Sequence, residues 1–221
     1  MAPKLHGIGF STCTARVAAA LNEKGVDFDL VGVNLAIGEQ KQPHFLARNP
    51  FGQVPVLEDG DLTLFESRAI TKYIAYKYSG QGTDLVRGGD EKERALVNVW
   101  VEVEAHHFNP AVAPLVSELL IKPRVQRLPT DEVAAEAHAG KLDKVLSVYE
   151  ERLSKSKYLA GDFFTLADLH HLPYLYCLVR TPKASLVTSR PHVLAWWEDI
   201  SSRPAWLKAA EGMKFWDAPP S

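Results

Sequence analysis

Phe10-Ser11-Thr12-Cys13 places two hydroxyls and a thiol on consecutive residues near the N-terminus. A hydroxyl at a helix start caps the helix or donates to an anion; a cysteine is a nucleophile only as thiolate. Glu66-Ser67-Arg68 is a second polar cluster, just ahead of an apolar helical pattern. A helix start offers unpaired N–H groups and a positive dipole end, which suit a carboxylate. Thr165-Leu166-Ala167-Asp168 has the form of a capping box, so Asp168 reads as a cap rather than a catalyst. His106-His107 and His170-His171 are of metal-ligating type. Adjacent helical residues project about 100° apart, so each pair chelates badly and no metal site is assigned.

These groups need elements to hold them. Lys4 to Gly9 reads as a short strand, broken by Gly7 and Gly9. A helix follows, with Arg16, Val17, Ala20 and Leu21 on one side and Gly25 as its stop. Phe28 to Leu35 alternates, apolar at even and then at odd positions, which predicts a strand with room for a bulge. A strand–helix–strand crossover of this length predicts parallel pairing. Val54–Glu58 and Leu62–Glu66 flank Asp59-Gly60-Asp61 and predict a hairpin, with Pro55 at a strand start or edge. Ser67 opens a helix with Ile70, Tyr73, Ile74 and Tyr78 on one face.

Beyond the Gly-rich stretch from Gly80 to Asp90 the period is helical throughout. Leu96, Val99, Trp100 and Val103 mark one helix; Leu142, Val145, Leu146, Tyr149 and Leu153 mark another, ended by Gly161. Phe164 is placed to staple the capping box, and Pro191 to Ser201 is one more helix, carrying Trp196 and Trp197. There is no internal repeat. The expected organisation is α/β plus all-α: an α/β domain over residues 1–80, a linker over 81–90 and an all-helical domain over 91–221.

Composition narrows the function. Lys+Arg number 25 against Asp+Glu 27, a net charge of −2, so the chain-wide basic field that nucleic acid requires is missing. Two cysteines, Cys13 and Cys177, cannot build a disulfide framework. No apolar run approaches the ~20 residues of a membrane span, and the first residues lack the apolar core of a secretory signal. The expected setting is the reducing cytoplasm, with free thiols and no membrane partner.

With these elements in place, the chain resembles the cytosolic glutathione S-transferases, and the plant phi class most. The residues that carry this are Asn49-Pro50-Phe51-Gly52-Gln53-Val54-Pro55, Asp59-Gly60-Asp61, Leu64-Phe65-Glu66-Ser67-Arg68-Ala69-Ile70, Tyr158-Leu159-Ala160-Gly161-Asp162 with the capping box, and Pro191-His192-Val193 leading to Ala195-Trp196-Trp197. They run in order through nearly the whole chain. The resemblance implies a thioredoxin-like N-terminal domain and a helical domain that contributes a hydrophobic acceptor site. It also implies glutathione as cosubstrate with no permanently bound cofactor, and a homodimer.

Ser11, five residues before Arg16, stands where the phi pattern has its catalytic serine. It would donate a hydrogen bond to the glutathione thiolate, the logic of an oxyanion hole applied to sulfur. Glutathione carries carboxylates and an ammonium. Ser67 and the helix start would hold one carboxylate and Glu66 the ammonium. Arg68 joins them as a ligand or pairs structurally near the dimer seam. Gln53, Val54 and Pro55, with a cis Val54–Pro55 peptide, would present backbone to the peptide. Lys41 would meet the other carboxylate beside Gln40, where the family often has His. Phe10, Thr12 and Leu35, with Leu115 and Leu119 of the Pro114–Leu119 stretch, would wall the acceptor site or belong to interdomain core. Phe51 would anchor the dimer.

The implied activity is conjugation of glutathione to hydrophobic electrophiles such as herbicides and other xenobiotics, with peroxidase activity as a second capacity. Two alternatives remain: a ligandin-type carrier, and a thiol transferase using Cys13, which sits two residues past the position such relatives use.

Overall fold

The computed structural model describes residues 2–217. Strand β1 (Lys4–Gly7), helix α1 (Thr12–Glu23) and strand β2 (Asp29–Gly32) form the crossover unit, and β1 pairs with β2 in parallel. β2 stops before the alternation does. Its register with β1 is unbroken from Asp29 to Gly32, so the change of phase marks the exit from the sheet, not a bulge. Asn34 takes the Ala36 N–H on its side chain, a local bond that competes with continued pairing. The chain then makes two 3-10 turns, Leu35–Ile37 and Glu39–Lys41, and helix α2 (Pro43–Leu46).

Strands β3 (Val56–Asp59) and β4 (Leu62–Phe65) are the expected hairpin. Asp59 pairs with Leu62, so the loop is Gly60-Asp61 alone, and Gly60 takes φ +66°. The sheet order is β2-β1-β3-β4, with β3 antiparallel to both neighbours. Helix α3 (Ser67–Lys77) packs on α1 and buries Ile70, Thr71, Ile74 and Ala75.

The second unit contains α4 (Glu91–Val103), α5 (Asn109–Val116), α6 (Glu132–Leu153), α7 (Leu166–Leu169), α8 (Leu172–Leu178), α9 (Ser185–Thr188) and α10 (Pro191–Ser201). On α4 the buried residues are Val97 and Val101, while Leu96 and Val99 are 45% and 54% exposed. Its apolar stripe therefore lies on the surface of the single chain. On α6, Leu142, Leu146, Tyr149 and Leu153 are buried as the spacing predicts, and the helix ends at Leu153, well before Gly161. The capping box forms. Asp168 also accepts the Leu159 N–H (3.0 Å) and the Trp196 indole N–H (3.0 Å), fastening a loop and α10 to α7. Burial pushes its carboxyl up to about 6. Phe164 meets Tyr158 edge-on at 6.0 Å.

The domain boundaries differ from the expected ones at both ends. Lys24 donates to the Thr83 carbonyl (2.8 Å), Gln81 donates to the Lys24 carbonyl (2.7 Å), and Leu85 and Val86 are buried. The expected linker is thus partly fastened to the first unit, which extends to Val86. That unit also takes back Pro204–Phe215, including helix α11 (Pro204–Ala210), which packs on α1. A Cβ on Gly212 would lie 2.8 Å from the Gly9 Cα, so the two glycines allow backbone to meet backbone.

Candidate active site in the first unit

Ser11 is the N-cap of α1. Its Oγ accepts the Thr14 N–H at 3.3 Å, and Ala15 N–H bonds back to the Ser11 carbonyl. The capping role read from the sequence is real, and it leaves the hydroxyl hydrogen available to a second acceptor. Cys13 lies inside the helix, as expected for a residue two positions on. Its sulfur lies 3.8 Å from the Arg16 guanidinium.

Arg16, to which sequence reading gave no role, reaches the candidate residue Ser67. It is fully buried, and it donates to the Ser67 Oγ at 2.8 Å. The signal was a lone charge inside the apolar run Ala15 to Leu21. Ser67 accepts this bond and keeps its own hydrogen for a ligand. The bond also ties the body of α1 to the start of α3 and sets a buried positive charge behind that start.

Glu66 precedes α3 with φ +68° and ψ 103°, and no side chain caps the helix. A non-glycine residue held at positive φ costs roughly 1–3 kcal/mol and marks a place where geometry is imposed by surroundings. Here it turns Glu66 outward, exposed, beside the α3 N-terminus. Arg68, half-buried, stands on the same first turn.

A cleft of about 430 Å³ is lined by Cys13, Leu35, Gln40, Lys41, Gly52, Gln53 and Val54; Ser11, Glu66, Ser67 and Arg68 are not among its lining residues. Six of the residues singled out from the sequence, Cys13, Leu35, Gln40, Lys41, Gln53 and Val54, are thereby brought together. The Val54–Pro55 peptide is cis. The turn before it is held by Asn49, 2% exposed, which donates to the Gln53 carbonyl (2.8 Å) and accepts the Phe51 N–H (3.0 Å). Lys41 donates to the Phe51 carbonyl at 3.0 Å. Gly52 takes φ +58°, and a Cβ there would sit 2.7 Å from the Gln40 carbonyl and 2.8 Å from Lys41 Cδ, so this position requires glycine. The Gln40 Oε1 is buried with no hydrogen-bond partner; an anion at this place would need the amide's NH2 side. Arg48 (2.7 Å) and His6 (2.8 Å) both bond Glu58 and hold its carboxyl below the usual range, fastening the loop that carries Asn49 to β1 and β3.

The acceptor residues are less well gathered. Phe10 stacks on Phe215 with ring centroids 4.6 Å apart, so part of its face is taken by the returning C-terminal segment. Thr12 is the half-buried first residue of α1, and Leu119 is half-buried in the second unit. Leu115 has no exposed surface. Of the two readings open for it, wall or core, its burial favours core. The histidine pairs are structural: the His171 ring bonds the Tyr149 hydroxyl (2.9 Å), and His106 bonds Glu102 (3.1 Å). Among the described residues no group of three or more His, Cys, Asp or Glu is placed to hold a metal ion.

The chain matches two family models, "Glutathione S-transferase, N-terminal domain" over residues 1–76 and "Glutathione S-transferase, C-terminal domain" over 108–204. It is 54% identical to glutathione S-transferase F13 of Arabidopsis thaliana, over 96% of this chain and 97% of that one. Its backbone matches the crystal structure of glutathione transferase F7 from Populus trichocarpa with a TM-score of 0.94 at 59% identity, covering 96% and 99% of the two chains. It matches glutathione S-transferase I from maize, solved with an atrazine glutathione conjugate, with a TM-score of 0.90 at 48% identity, covering 97% and 99%. With these likenesses spanning nearly every residue, the chain belongs to the glutathione S-transferase family and to its plant phi class.

Proposed function

We propose that this transferase is of the serine type and joins the glutathione sulfur to hydrophobic electrophiles, with Ser11 as the donor that keeps the sulfur ionised. The observation that carries this is the state of the Ser11 hydroxyl: its oxygen is engaged by the Thr14 N–H, at the positive end of α1, with its hydrogen left to give. A free thiol is only a few per cent ionised at pH 7; lowering its pKa by about two units requires ~2.7 kcal/mol. A hydroxyl donor and a helix terminus acting together are of the size needed.

Glutathione lies in the cleft with its glycyl carboxylate at Lys41 and the Gln40 amide and its cysteinyl backbone along Gln53, Val54 and Pro55. Its γ-glutamyl carboxylate meets Ser67 and Arg68 at the start of α3, and its ammonium meets Glu66. Arg16 is a positioning residue, acting through Ser67. The thiolate then attacks the electrophilic carbon. An aryl halide loses halide; an activated alkene takes its proton from solvent. The maize relative's bound atrazine conjugate supports the first class. Phe10, Thr12 and Leu35 are the first unit's contribution to the acceptor site, and peroxidase turnover uses the same thiolate.

The protein works as a cytoplasmic homodimer. Support for the dimer comes from apolar surface that a single chain leaves uncovered: Phe51 is 65% exposed in the first unit, and Leu96 and Val99 are 45% and 54% exposed in the second. No helix of the described residues is long and apolar enough to cross a membrane.

One observation favours a second reading. Cys13 lines the same cleft, beside a buried guanidinium, and could exchange with a glutathione disulfide. A substrate panel separates the two. Activated aryl chlorides should turn over in the wild type and in Cys13→Ala; if only mixed disulfides turn over, and Cys13→Ala abolishes that, the serine mechanism fails.

A further inference from the structure

We propose that Phe215 is a specificity-determining residue of the acceptor site, the ring against which planar, electron-poor aromatic electrophiles stack beside the Ser11 turn. The proposal rests on the reading of Ser11 as the thiolate donor and adds to it the class of acceptor that the site favours.

The Ser11 N–H bonds the Ile8 carbonyl at 3.0 Å, so Gly9 and Phe10 form the tip of the turn that delivers Ser11 to the start of α1. The returning segment docks on that tip. It ends in a 3-10 helix, Glu211–Trp216, in which residues three apart share a face. Met213 and Trp216 form one face and are buried. Glu211 and Lys214 form another and pair with each other at 2.6 Å in solvent. Gly212 and Phe215 form the third, and it meets the turn residue for residue. The Gly212 backbone lies on Gly9 with no room for a Cβ between them. The Phe215 ring stacks on Phe10, with centroids 4.6 Å apart and planes 27° from parallel.

Burial separates anchoring from function along this helix. Met213 has no exposed surface and Trp216 only 4%, so they do the anchoring, while Phe215 keeps 44% of its surface open. The close approach of the two glycines sets the height of the Phe215 ring over the turn, and Phe10 and Phe215 make one stacked platform a single residue from Ser11. A carbon attacked by a thiolate held at Ser11 must come within contact of that sulfur, which brings the rest of the electrophile over this platform. The face of a phenylalanine ring is the negative part of its quadrupole, so it stacks best on an electron-poor ring. Electron withdrawal is also what makes an aryl halide reactive toward a thiolate, so one property serves binding and reaction. A saturated chain gains from this surface only by its area.

The test compares three ligands that share one peptide and differ at sulfur: glutathione, S-hexylglutathione and S-(2,4-dinitrophenyl)glutathione. Phe215→Leu in the full-length protein keeps apolar bulk and removes the ring. Calorimetry should show the dinitrophenyl conjugate weakened about three- to tenfold, the size of one aromatic contact, with the other two ligands unchanged. Phe215→Trp should restore the lost affinity. In turnover, KM for an activated aryl chloride should rise in Phe215→Leu while KM for glutathione holds. Should Phe215→Leu fail to fold, nuclear Overhauser contacts between the dinitrophenyl ring and the Phe215 ring in the wild type decide the matter. Equal weakening of all three ligands, an unchanged affinity for the dinitrophenyl conjugate, or the absence of those contacts overturns the proposal. Ser11→Ala tests the underlying reading by itself: conjugation at the wild-type rate would remove that reading and the proposal with it. Slow conjugation there, together with a Phe215→Leu variant that treats the three ligands alike, removes only the role given to Phe215.

Discussion

Ser11 caps α1 and, in the proposed mechanism, also donates to the thiolate; the two roles can be separated because they cost different amounts. As an N-cap it accepts the Thr14 N–H at 3.3 Å, longer than the ~2.9–3.0 Å of a good N–H···O bond. Ser11→Ala should therefore lie at the low end of the capping range, ~0.5–1 kcal/mol. For a chain of this length that is a fall in Tm of roughly 1–4 °C. Glycine is a tolerable cap, and Ser11→Gly should cost only a few tenths of a kcal/mol. The thiolate bond is different: removing one charge-stabilising donor costs ~2.7–4 kcal/mol, or about 10²–10³ in rate. Both variants should thus lose conjugation of an activated aryl chloride to the same extent, although only the alanine variant melts measurably lower. Ser11→Thr, which keeps the hydroxyl, should recover much of the rate. The pKa of bound glutathione, read from thiolate ultraviolet absorbance, should rise toward the free value in Ser11→Gly. A glycine variant that conjugates at close to the wild-type rate, or whose bound thiol titrates as in the wild type, refutes the donor role.

Ser67→Ala should raise KM for glutathione and also lower stability by ~1.5–3 kcal/mol, because the same hydroxyl accepts from buried Arg16; a change in KM without a change in Tm would show that the strut carries no weight. Asp168 should make the fold respond to pH in an unusual direction. Its folded pKa of about 6 lies above the ordinary 3.8, so the folded state holds a proton that the unfolded state has lost. Its contribution to stability is full below 3.8 and falls as pH rises through 6. Between pH 5 and 7 the stability difference between wild type and Asp168→Asn should shrink by roughly 1 kcal/mol in urea titrations, and a difference independent of pH would contradict this. Phe51→Ala should shift the sedimentation of the protein toward monomer, an anchor of this kind being worth ~2 kcal/mol or more; a wild type that is monomeric at micromolar concentration rules that reading out.

What the sequence disclosed depended on how local the physics was. The hairpin was legible because Asp-Gly between alternating runs leaves few other turns, and the capping box because four residues specify it. Most of the candidate cleft lies in two short stretches, Gln40-Lys41 and Gly52-Gln53-Val54, which is why short motifs could point to it. Arg16–Ser67 was not, since a bond across 51 positions leaves only a stray charge in an apolar run as its trace. α4 misleads in a different way: Leu96 and Val99 have helical spacing but the surface, not the core, is where they lie, and spacing alone does not say which neighbour an apolar face has. Gly80 to Asp90 has the composition of a free linker, yet Lys24 and Leu85 fasten it by a buried lysine bond and a packed side chain that composition does not record.

The return of Pro204–Phe215 to the first unit bears on how the protein is made. Synthesis runs from the N-terminus, and domains commonly fold in the order in which they emerge. Here the strands and helices around the candidate cleft are made first, but α1 has its packing partner α11 only after helices α4 to α10 have been translated. The Gly9–Gly212 contact joins residues some two hundred positions apart. A nascent chain stalled before Pro204 thus carries every residue of the cleft with one side of α1 uncovered. The stretch Pro204–Phe215, made after helices α4 to α10, closes the first unit begun.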